Sequence, residues 1–174
     1  LKDLGELTRL TIPFFVNEGY LTNENVSEKE FETLKKIVEI EREGAKTLKE
    51  LAKNSKFFFV DEFSLPEVKE DMDKKERKSV ERLLNSLKDE VGLKSIKLFI
   101  EKLEKWEGNE FTAEQAKDLL HSLLDDLQEG PGKIFMPLRA VLTGATKGAD
   151  LYNILYVIGK ERALKRIQDT IKKY

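Results

Sequence analysis

The sequence predicts an all-α fold: a bundle of amphipathic helices in two packed lobes. Apolar residues recur at helical spacing along most of the chain, and capping patterns precede several of these runs. Only four prolines and ten glycines interrupt the 174 residues, which favours long helices over many short strands. The acidic stretch around Pro66 indicates a junction, so we expect an N-terminal lobe over residues 1–66 and a C-terminal lobe over residues 67–174.

Two helix starts are recognisable in the first lobe. Ser27 and Glu30 form a capping-box pattern, in which each side chain can satisfy an amide of the first turn. Gly44 is expected to end this helix. Thr47 and Glu50 repeat the pattern and predict a second, short helix. The apolar face of the first helix consists of Phe31, Leu34, Ile37 and Val38.

The run Phe57-Phe58-Phe59-Val60 is apolar without helical spacing. A short strand is one interpretation, and a stacking platform for nucleic-acid bases is another. We favour a third, in which the rings fill the gap between helices, because aromatic side chains mostly serve cores.

Three amphipathic stripes follow, and we expect them to pack as a small bundle. The first stripe is expected to end at Gly92 and the second at Gly108. Thr112 with Gln115 caps the third, which the Gly130-Pro131-Gly132 break terminates. The charged run over residues 67–82 is expected to be a solvated helix start. The stripes are Val80, Leu83, Leu84, Leu87 and Val91; Ile96, Phe99, Ile100, Leu103 and Trp106; and Ala116, Leu119, Leu120, Leu123, Leu124 and Leu127.

The last part of the chain contains an apolar segment, a loop and two helices. Residues 133–142 are apolar, residues 143–150 form a loop of small residues, and residues 151–158 form a short helix that Gly159 ends. A basic amphipathic helix over residues 160–174 is expected to direct Ala163, Leu164, Ile167 and Ile171 inward. Lys165 and Arg166 are expected to be surface charges or to contact a nucleic-acid backbone without regard to its sequence.

Charge is unevenly distributed along the chain. Residues 133–174 hold nine basic and three acidic side chains, a net +6, which leaves −8 for residues 1–132 of the total of −2. Such asymmetry is expected where one end meets a polyanion. On charge alone we favour the other explanation, a solvated helix face with basic residues near its C-terminus, where the helix dipole favours them.

The residue inventory predicts a binding module without catalytic residues of its own. There is no cysteine and one histidine, His121, so the sequence lacks the residues that form most nucleophile–base pairs and Cys/His metal sites. We interpret His121 as structural or exposed. No glycine-rich phosphate loop appears. No apolar run reaches the roughly 18 to 20 residues that a membrane span needs, so we expect no membrane contact. The lack of cysteine fits a cytoplasmic protein.

The loop over residues 143–150 is the candidate ligand-binding segment. Gly144 and Gly148 allow a close approach of backbone amides to a ligand. Arg139 precedes the loop and Lys147 lies within it, and an arginine can both stack on a base and donate two hydrogen bonds to it. An ordinary interhelix turn with a surface lysine remains the alternative.

These segments resemble a known family. Residues 136–144, MPLRAVLTG, are similar to the PLR-x-A-L-T-G signature of bacterial glutamyl-tRNA synthetases. Residues 151–166, LYNILYVIGKERALKR, continue the similarity, and KTLKEL at residues 46–51, followed by the aromatic run, resembles an upstream segment of the family. The resemblance covers nearly the whole chain and is most specific after residue 130.

The resemblance implies a class I aminoacyl-tRNA synthetase, which uses ATP, Mg²⁺ and glutamate to charge tRNA. HIGH-like and KMSKS-like motifs are absent, so the chain resembles only the C-terminal α-helical domain that binds the anticodon. We therefore expect a fragment of a larger, monomeric, cytoplasmic enzyme, with no catalytic residue, metal or cofactor in the fragment itself.

The resemblance also implies the site. Arg139 occupies the place of an arginine that contacts the anticodon loop, and Gly148, Ala149 and Leu151 occupy places that touch the first two anticodon bases. Lys46 lies near the position that reads the third base. The family usually has proline at Ala149, serine or threonine at Gly148, and arginine near Lys46. Unstacked bases are expected against Arg139 and Leu151.

tRNA(Glu) is the expected partner. The departures at Lys46, Gly148 and Ala149 leave open the same family serving tRNA(Gln), or both tRNAs. A helical protein–protein docking domain, whose basic end meets an acidic partner, is the alternative from another class.

Overall fold

The computed structural model describes residues 3–174, and all regular structure within this range is α-helical, which confirms the predicted all-α class. The helices are α1 (Leu4–Asn17), α2 (Glu28–Glu41), α3 (Leu48–Asn54), α4 (Lys56–Phe59), α5 (Lys74–Ser86), α6 (Glu90–Lys105), α7 (Ala113–Leu127), α8 (Pro131–Thr143) and α9 (Leu151–Lys173). They fall into two compact units, one extending to Val60 and the other comprising Asp61–Tyr174. None of the described helices is long and apolar enough to cross a membrane.

The first unit packs α1, α2 and α3 around a small core. The predicted N-caps are present: the Ser27 hydroxyl accepts from the Glu30 amide at 3.1 Å, and the Thr47 hydroxyl from the Glu50 amide at 3.1 Å. The Glu50 carboxylate accepts from the amide of Lys46 at 2.8 Å, one residue before the N-cap. The core side chains are Ile12, Phe15, Leu34, Ile37, Val38, Leu51, Ala52 and Phe58.

The aromatic run forms one turn of helix, α4, so a strand there is wrong. Phe58 is buried, and the Phe59 ring stacks on Tyr20 with 4.8 Å between centroids and lies 5.0 Å from Phe15. Helical spacing is hidden here because three consecutive aromatics place rings on several faces of so short a helix. The gap-filling interpretation is confirmed for Phe58 and Phe59.

Gly92 does not end a helix, contrary to the expectation from the first stripe. Helix α5 ends at Ser86, and Gly92 lies buried in the first turn of α6, whose N-cap is Asp89. A Cβ at Gly92 would lie 1.8 Å from the carbonyl oxygen of Ser86. The glycine therefore permits the close turn between α5 and α6, and Val91 belongs to the later helix.

The second unit is a bundle in which α6 packs on α7, α8 and α9, and α5 packs on α8. The predicted capping box of α7 is complete: Thr112 accepts from the Gln115 amide at 3.1 Å, and the Gln115 side chain accepts from the Thr112 amide at 2.9 Å. Gln128 ends α7 in the left-handed conformation, and Pro131 opens α8, where the first turn tolerates a missing N–H.

Helix α9 contains the break predicted at Gly159, which has φ 77° and ψ −179°. A Cβ there would lie 2.8 Å from the carbonyl oxygen of Asn109. That oxygen accepts from the Lys160 amide at 2.9 Å, and the Asn109 side chain accepts from the Glu161 amide at 2.8 Å. The Lys160 ammonium donates to the carbonyl of Trp106 at 2.7 Å. Gly159 therefore breaks α9, and Asn109 caps the amides of Lys160 and Glu161 at the start of its second half.

The segment before α5 lies within the second unit. Leu65 is buried against Leu83 and Ala140, and its amide donates to the Tyr174 hydroxyl at 3.3 Å. None of residues 67–73 is helical, so the charged run becomes helix only from Lys74. The units divide at Val60, and the boundary after residue 66 stays a prediction.

Candidate nucleic-acid interface

The end of α8 shapes the candidate loop. Gly144 adopts φ 69°, and its amide donates to the Ala140 carbonyl at 3.0 Å. A Cβ at this position would lie 2.6 Å from the Phe63 ring, so both the conformation and the close approach require glycine. The Thr143 hydroxyl accepts from the Ala145 amide at 3.1 Å and donates to the Arg139 carbonyl at 2.9 Å. The chain therefore leaves the helix in a fixed direction.

The Arg139 side chain reaches across to the far end of this loop. Its Nη1 donates to the Ala149 carbonyl at 3.1 Å, the one hydrogen bond this side chain makes among the described residues. Burial lowers the pKa of the guanidinium, and the nearby Asp150 carboxylate opposes this effect. The group stays charged, because an arginine pKa lies far above neutral pH. A half-buried cation with unused N–H groups is thus held beside the loop.

An open cavity of about 230 Å³ lies between α7, α8 and the start of α9. Its walls combine apolar and aromatic surface with both signs of charge: Lys117, Leu120, His121, Phe135, Arg139, Asp150, Leu151 and Tyr152. The Lys117 ammonium lies 5.7 Å from the centroid of the Tyr152 ring, within cation–π range. Aromatic rings, an arginine and a lysine around one cavity are the groups that bind unstacked bases and their phosphates.

Comparison with known proteins agrees with this geometry. The family model described as "Anticodon binding domain" matches residues 6–171. The chain belongs to the anticodon binding domain family. It is 91% identical, over its whole length, to the glutamate–tRNA ligase of Fusobacterium nucleatum subsp. nucleatum, and spans 34% of that protein. The glutamate–tRNA ligase of Carboxydothermus hydrogenoformans is 33% identical over 97% of the chain, which covers 32% of that relative.

A solved structure shares the fold of this anticodon-binding domain. The glutamate tRNA ligase from Elizabethkingia meningosepticum, crystallised in complex with its amino acid, superposes with a TM-score of 0.71 at 26% identity. The match covers 98% of this chain and 29% of that protein. The resemblance stated from the signature segments is therefore confirmed, and the chain spans about one third of the relatives it matches.

The predicted site residues separate into three groups in this anticodon-binding domain. Arg139 and Leu151 line the cavity, although Leu151 is only 6% exposed and offers a base little more than an edge. Ala149 holds Arg139 through its carbonyl, while Lys147 and Gly148 are exposed on the loop and do not line the cavity. Lys46 lies exposed in the first unit.

Six further residues line the cavity but were not among the predicted site residues: Lys117, Leu120, His121, Phe135, Asp150 and Tyr152. Lys117 and His121 are four residues apart and so share one face of α7. From the sequence, this spacing predicts that the two side chains share a helix face, but it does not predict that this face lies beside Arg139. His121 is exposed, as one of the two predicted alternatives had it.

Arg166 is not a surface charge, contrary to expectation. Only 1% of it is exposed; its Nε donates to Asp61 at 2.8 Å and its Nη1 to the Leu142 carbonyl at 2.9 Å. Arg162 also binds Asp61, with its Nη2 3.0 Å from the carboxylate. Burial would raise the pKa of Asp61, but the hydrogen bonds and charges of the two arginines outweigh it and lower that pKa. Ile171, also expected to face inward, is half exposed.

Most basic side chains at the C-terminal end form ion pairs or hydrogen bonds within the chain. Lys165 pairs with Asp169 at 3.3 Å, Lys133 with Glu129 at 3.6 Å, and Lys173 donates to the Phe63 carbonyl at 3.1 Å. Lys160, Arg162 and Arg166 also have internal partners. Among the nine basic residues after position 132, Arg139, Lys147 and Lys172 are the ones left for RNA. The solvated helix face considered from the sequence is wrong for Arg166, which is buried.

Proposed function

We propose that this chain is the C-terminal, anticodon-binding part of a glutamate–tRNA ligase and that it reads the anticodon loop of tRNA(Glu). One observation carries the proposal: Arg139, within the segment that resembles the family signature, is held by the Ala149 carbonyl at the wall of an open, partly aromatic cavity. The relatives named above are glutamate–tRNA ligases, which supports the substrate.

Binding at this cavity follows from the chemistry of unstacked RNA. A splayed anticodon base needs a surface to stack on and hydrogen-bonding groups at its edge. Phe135 and Tyr152 supply aromatic surface, and the unused N–H groups of Arg139 supply donors. Because the guanidinium is already held by the loop, little of its side-chain freedom is lost on binding.

The exposed loop residues have a different role in this proposal. Lys147 neutralises a phosphate, and Gly148 lets the RNA backbone approach the loop closely. Ala149 replaces the family's usual proline and leaves the loop less constrained, since proline would fix one backbone angle. Lys46 contacts the third anticodon base, with one ammonium in place of the planar fork of an arginine.

The rest of the parent protein carries the chemistry in this proposal. It charges tRNA with glutamate using ATP and Mg²⁺, as a monomer in the cytoplasm. Within residues 3–174 no group of three or more acidic or imidazole side chains is placed to hold a metal ion. No catalytic residue is assigned to this chain, and we expect it to be inactive alone.

Glutamate and glutamine codons differ in their first base, so the two tRNAs differ at the third anticodon base. The test is binding of the 174-residue chain to tRNA(Glu), tRNA(Gln) and an unrelated tRNA at two salt concentrations. We expect tRNA(Glu) to bind most tightly and to lose its advantage when its anticodon is replaced. Preference for tRNA(Gln), or equal affinity for both, would identify the other substrate choice within the family. Equal, salt-sensitive binding of all three RNAs would contradict anticodon reading and favour a docking domain with a basic surface.

A further inference from the structure

The cavity contains a carboxylate, Asp150, that neither the signature nor the comparisons assign to binding. Asp150 immediately precedes α9, and its backbone carbonyl accepts the first amides of that helix from Asn153 and Ile154, at 3.0 and 3.2 Å. Its side chain is exposed and makes no capping hydrogen bond. Among the described residues the carboxylate has no hydrogen-bond donor and no cation within 4.0 Å, so both oxygens are available to a ligand.

Asp150 and Arg139 line the same cavity without pairing. The carboxylate is near enough to act electrostatically on the guanidinium, yet the two form no salt bridge within the part of the chain that the structure describes. Arg139 uses one N–H for Ala149 and retains others. A residue with free donors and a residue with free acceptors therefore line one cavity of about 230 Å³.

A carboxylate in an RNA-binding cavity repels phosphate, so it weakens binding unless it receives a hydrogen bond from the ligand. Nucleobases supply such donors at their edges as N–H groups, next to carbonyl or ring-nitrogen acceptors. One base can therefore donate to Asp150 and accept from Arg139. A backbone phosphate can use only the arginine.

We propose that Asp150 is a specificity-determining residue, which accepts a hydrogen bond from the edge of one unstacked anticodon base while Arg139 donates to a neighbouring acceptor of that base. The inference rests on the proposed function, because it requires the anticodon to enter this cavity. It adds a residue that selects by accepting a hydrogen bond, in a cavity whose other charged side chains, Lys117 and Arg139, are donors.

The test is a set of thermodynamic cycles with Asp150→Ala, Asp150→Asn and the control Asp125→Ala. Asp125 is an exposed carboxylate on α7 outside the cavity, and its loss changes the net charge equally. Each protein is titrated with tRNA(Glu) and with three variants of that tRNA, each changed at one anticodon base. Asparagine keeps one acceptor oxygen but has no charge, so Asp150→Asn separates the loss of the acceptor from the loss of the charge. Thermal melts establish that each variant folds like the parent chain.

Asp150→Ala should weaken tRNA(Glu) binding on the order of tenfold, as for a hydrogen bond to a charged group, and Asp150→Asn should weaken it less. The loss should disappear when one particular anticodon base is changed, and that base is the one the residue reads. Asp125→Ala should leave the preference among the RNAs unchanged. Tighter binding of every RNA by Asp150→Ala would show a merely repulsive carboxylate and overturn the inference, as would a loss independent of all three bases. If Arg139→Ala also leaves anticodon preference intact, the proposed function fails as well; if it abolishes that preference, only the role of Asp150 is lost.

Discussion

Arg166 donates from Nε to Oδ1 of Asp61 at 2.8 Å, joining the last helix to the first residue of the second unit. The same guanidinium donates to the carbonyl of Leu142 near the end of α8, immediately before the loop that Arg139 spans. Arg166 thereby fixes α9, α8 and the segment before α5 relative to one another. The final arginine of the family-like segment at residues 151–166 is a structural residue.

Replacing Arg166 should destabilise the fold strongly. Arg166→Ala leaves the Leu142 carbonyl without its donor, removes one of the two arginines of Asp61 and opens a cavity, and each lost hydrogen bond of this kind costs about 1–3 kcal/mol. Lys165→Ala, one position away on the exposed side of α9, should cost less than about 1 kcal/mol, because its pair with Asp169 is solvated. Urea unfolding of the two variants measures the difference. Equal midpoints would contradict the structural role of Arg166.

The same cluster should make stability fall in acid. The pKa of Asp61 is lowered in the folded chain, so its contribution is complete above the ordinary value of 3.8 and is lost as the pH falls through the lower, folded value. The difference in unfolding free energy between the parent and Asp61→Asn should therefore be constant from neutral pH to about pH 5 and shrink below about pH 4. Asp125→Asn, which removes an exposed carboxylate outside the cluster, is the matched control. A difference that grows in acid would have the wrong sign.

Gly159 should not tolerate a side chain. Gly159→Ala places a Cβ 2.8 Å from the Asn109 carbonyl at φ 77°, so it displaces the loop that caps the second half of α9 and should cost roughly 1–3 kcal/mol. Gly132→Ala is the control, since nothing lies within 4 Å of its Cβ in α8, and there alanine favours the helix. Thermal melts should show a lowered Tm for Gly159→Ala and an unchanged or raised Tm for Gly132→Ala. Similar melting of the two variants would mean that the loop yields without cost.

Lys147 should act on RNA through charge alone. The side chain is exposed and has no ion-pair partner among the described residues. Lys147→Ala should weaken binding of all tRNAs by a similar factor and reduce the slope of log affinity against log salt by about 0.7, the value for one single-strand phosphate. Lys97→Ala, an exposed lysine of α6 outside the cavity, provides the comparison. A selective loss for tRNA(Glu) would show that Lys147 reads a base instead.

Local rules predicted several elements from sequence and failed where tertiary packing decides. The caps of α2, α3 and α7 and the break at Gly159 follow from side-chain and backbone preferences near in sequence. The predicted helix end at Gly92 is wrong because the sequence does not distinguish a glycine that ends a helix from one that makes room for a neighbouring carbonyl. Arg166 was misread because its partner, Asp61, lies 105 residues away.

The candidate site shows the same division. The loop and Arg139 were recognisable from the glycines and the family-like segment, whereas the α7 wall of the cavity was not. Lys117 and His121 look like ordinary exposed positions until the packing of α7 beside α8 places them around Arg139. The sequence places Asp150 at the end of a loop, and only the structure shows that it lines the cavity and that its carboxylate has no partner among the described residues.

The most direct measurement of the central claim is the affinity of Arg139→Ala for tRNA(Glu) and for the same tRNA with a replaced anticodon. Lys97→Ala serves as the control for lost charge, and Arg139→Lys tests the need for a planar fork. We predict that Arg139→Ala weakens tRNA(Glu) binding by about 1–3 kcal/mol, that the anticodon-replaced tRNA is little affected, and that lysine restores only part of the loss. An equal loss for both RNAs, or unchanged affinity for tRNA(Glu), would contradict anticodon reading at this cavity.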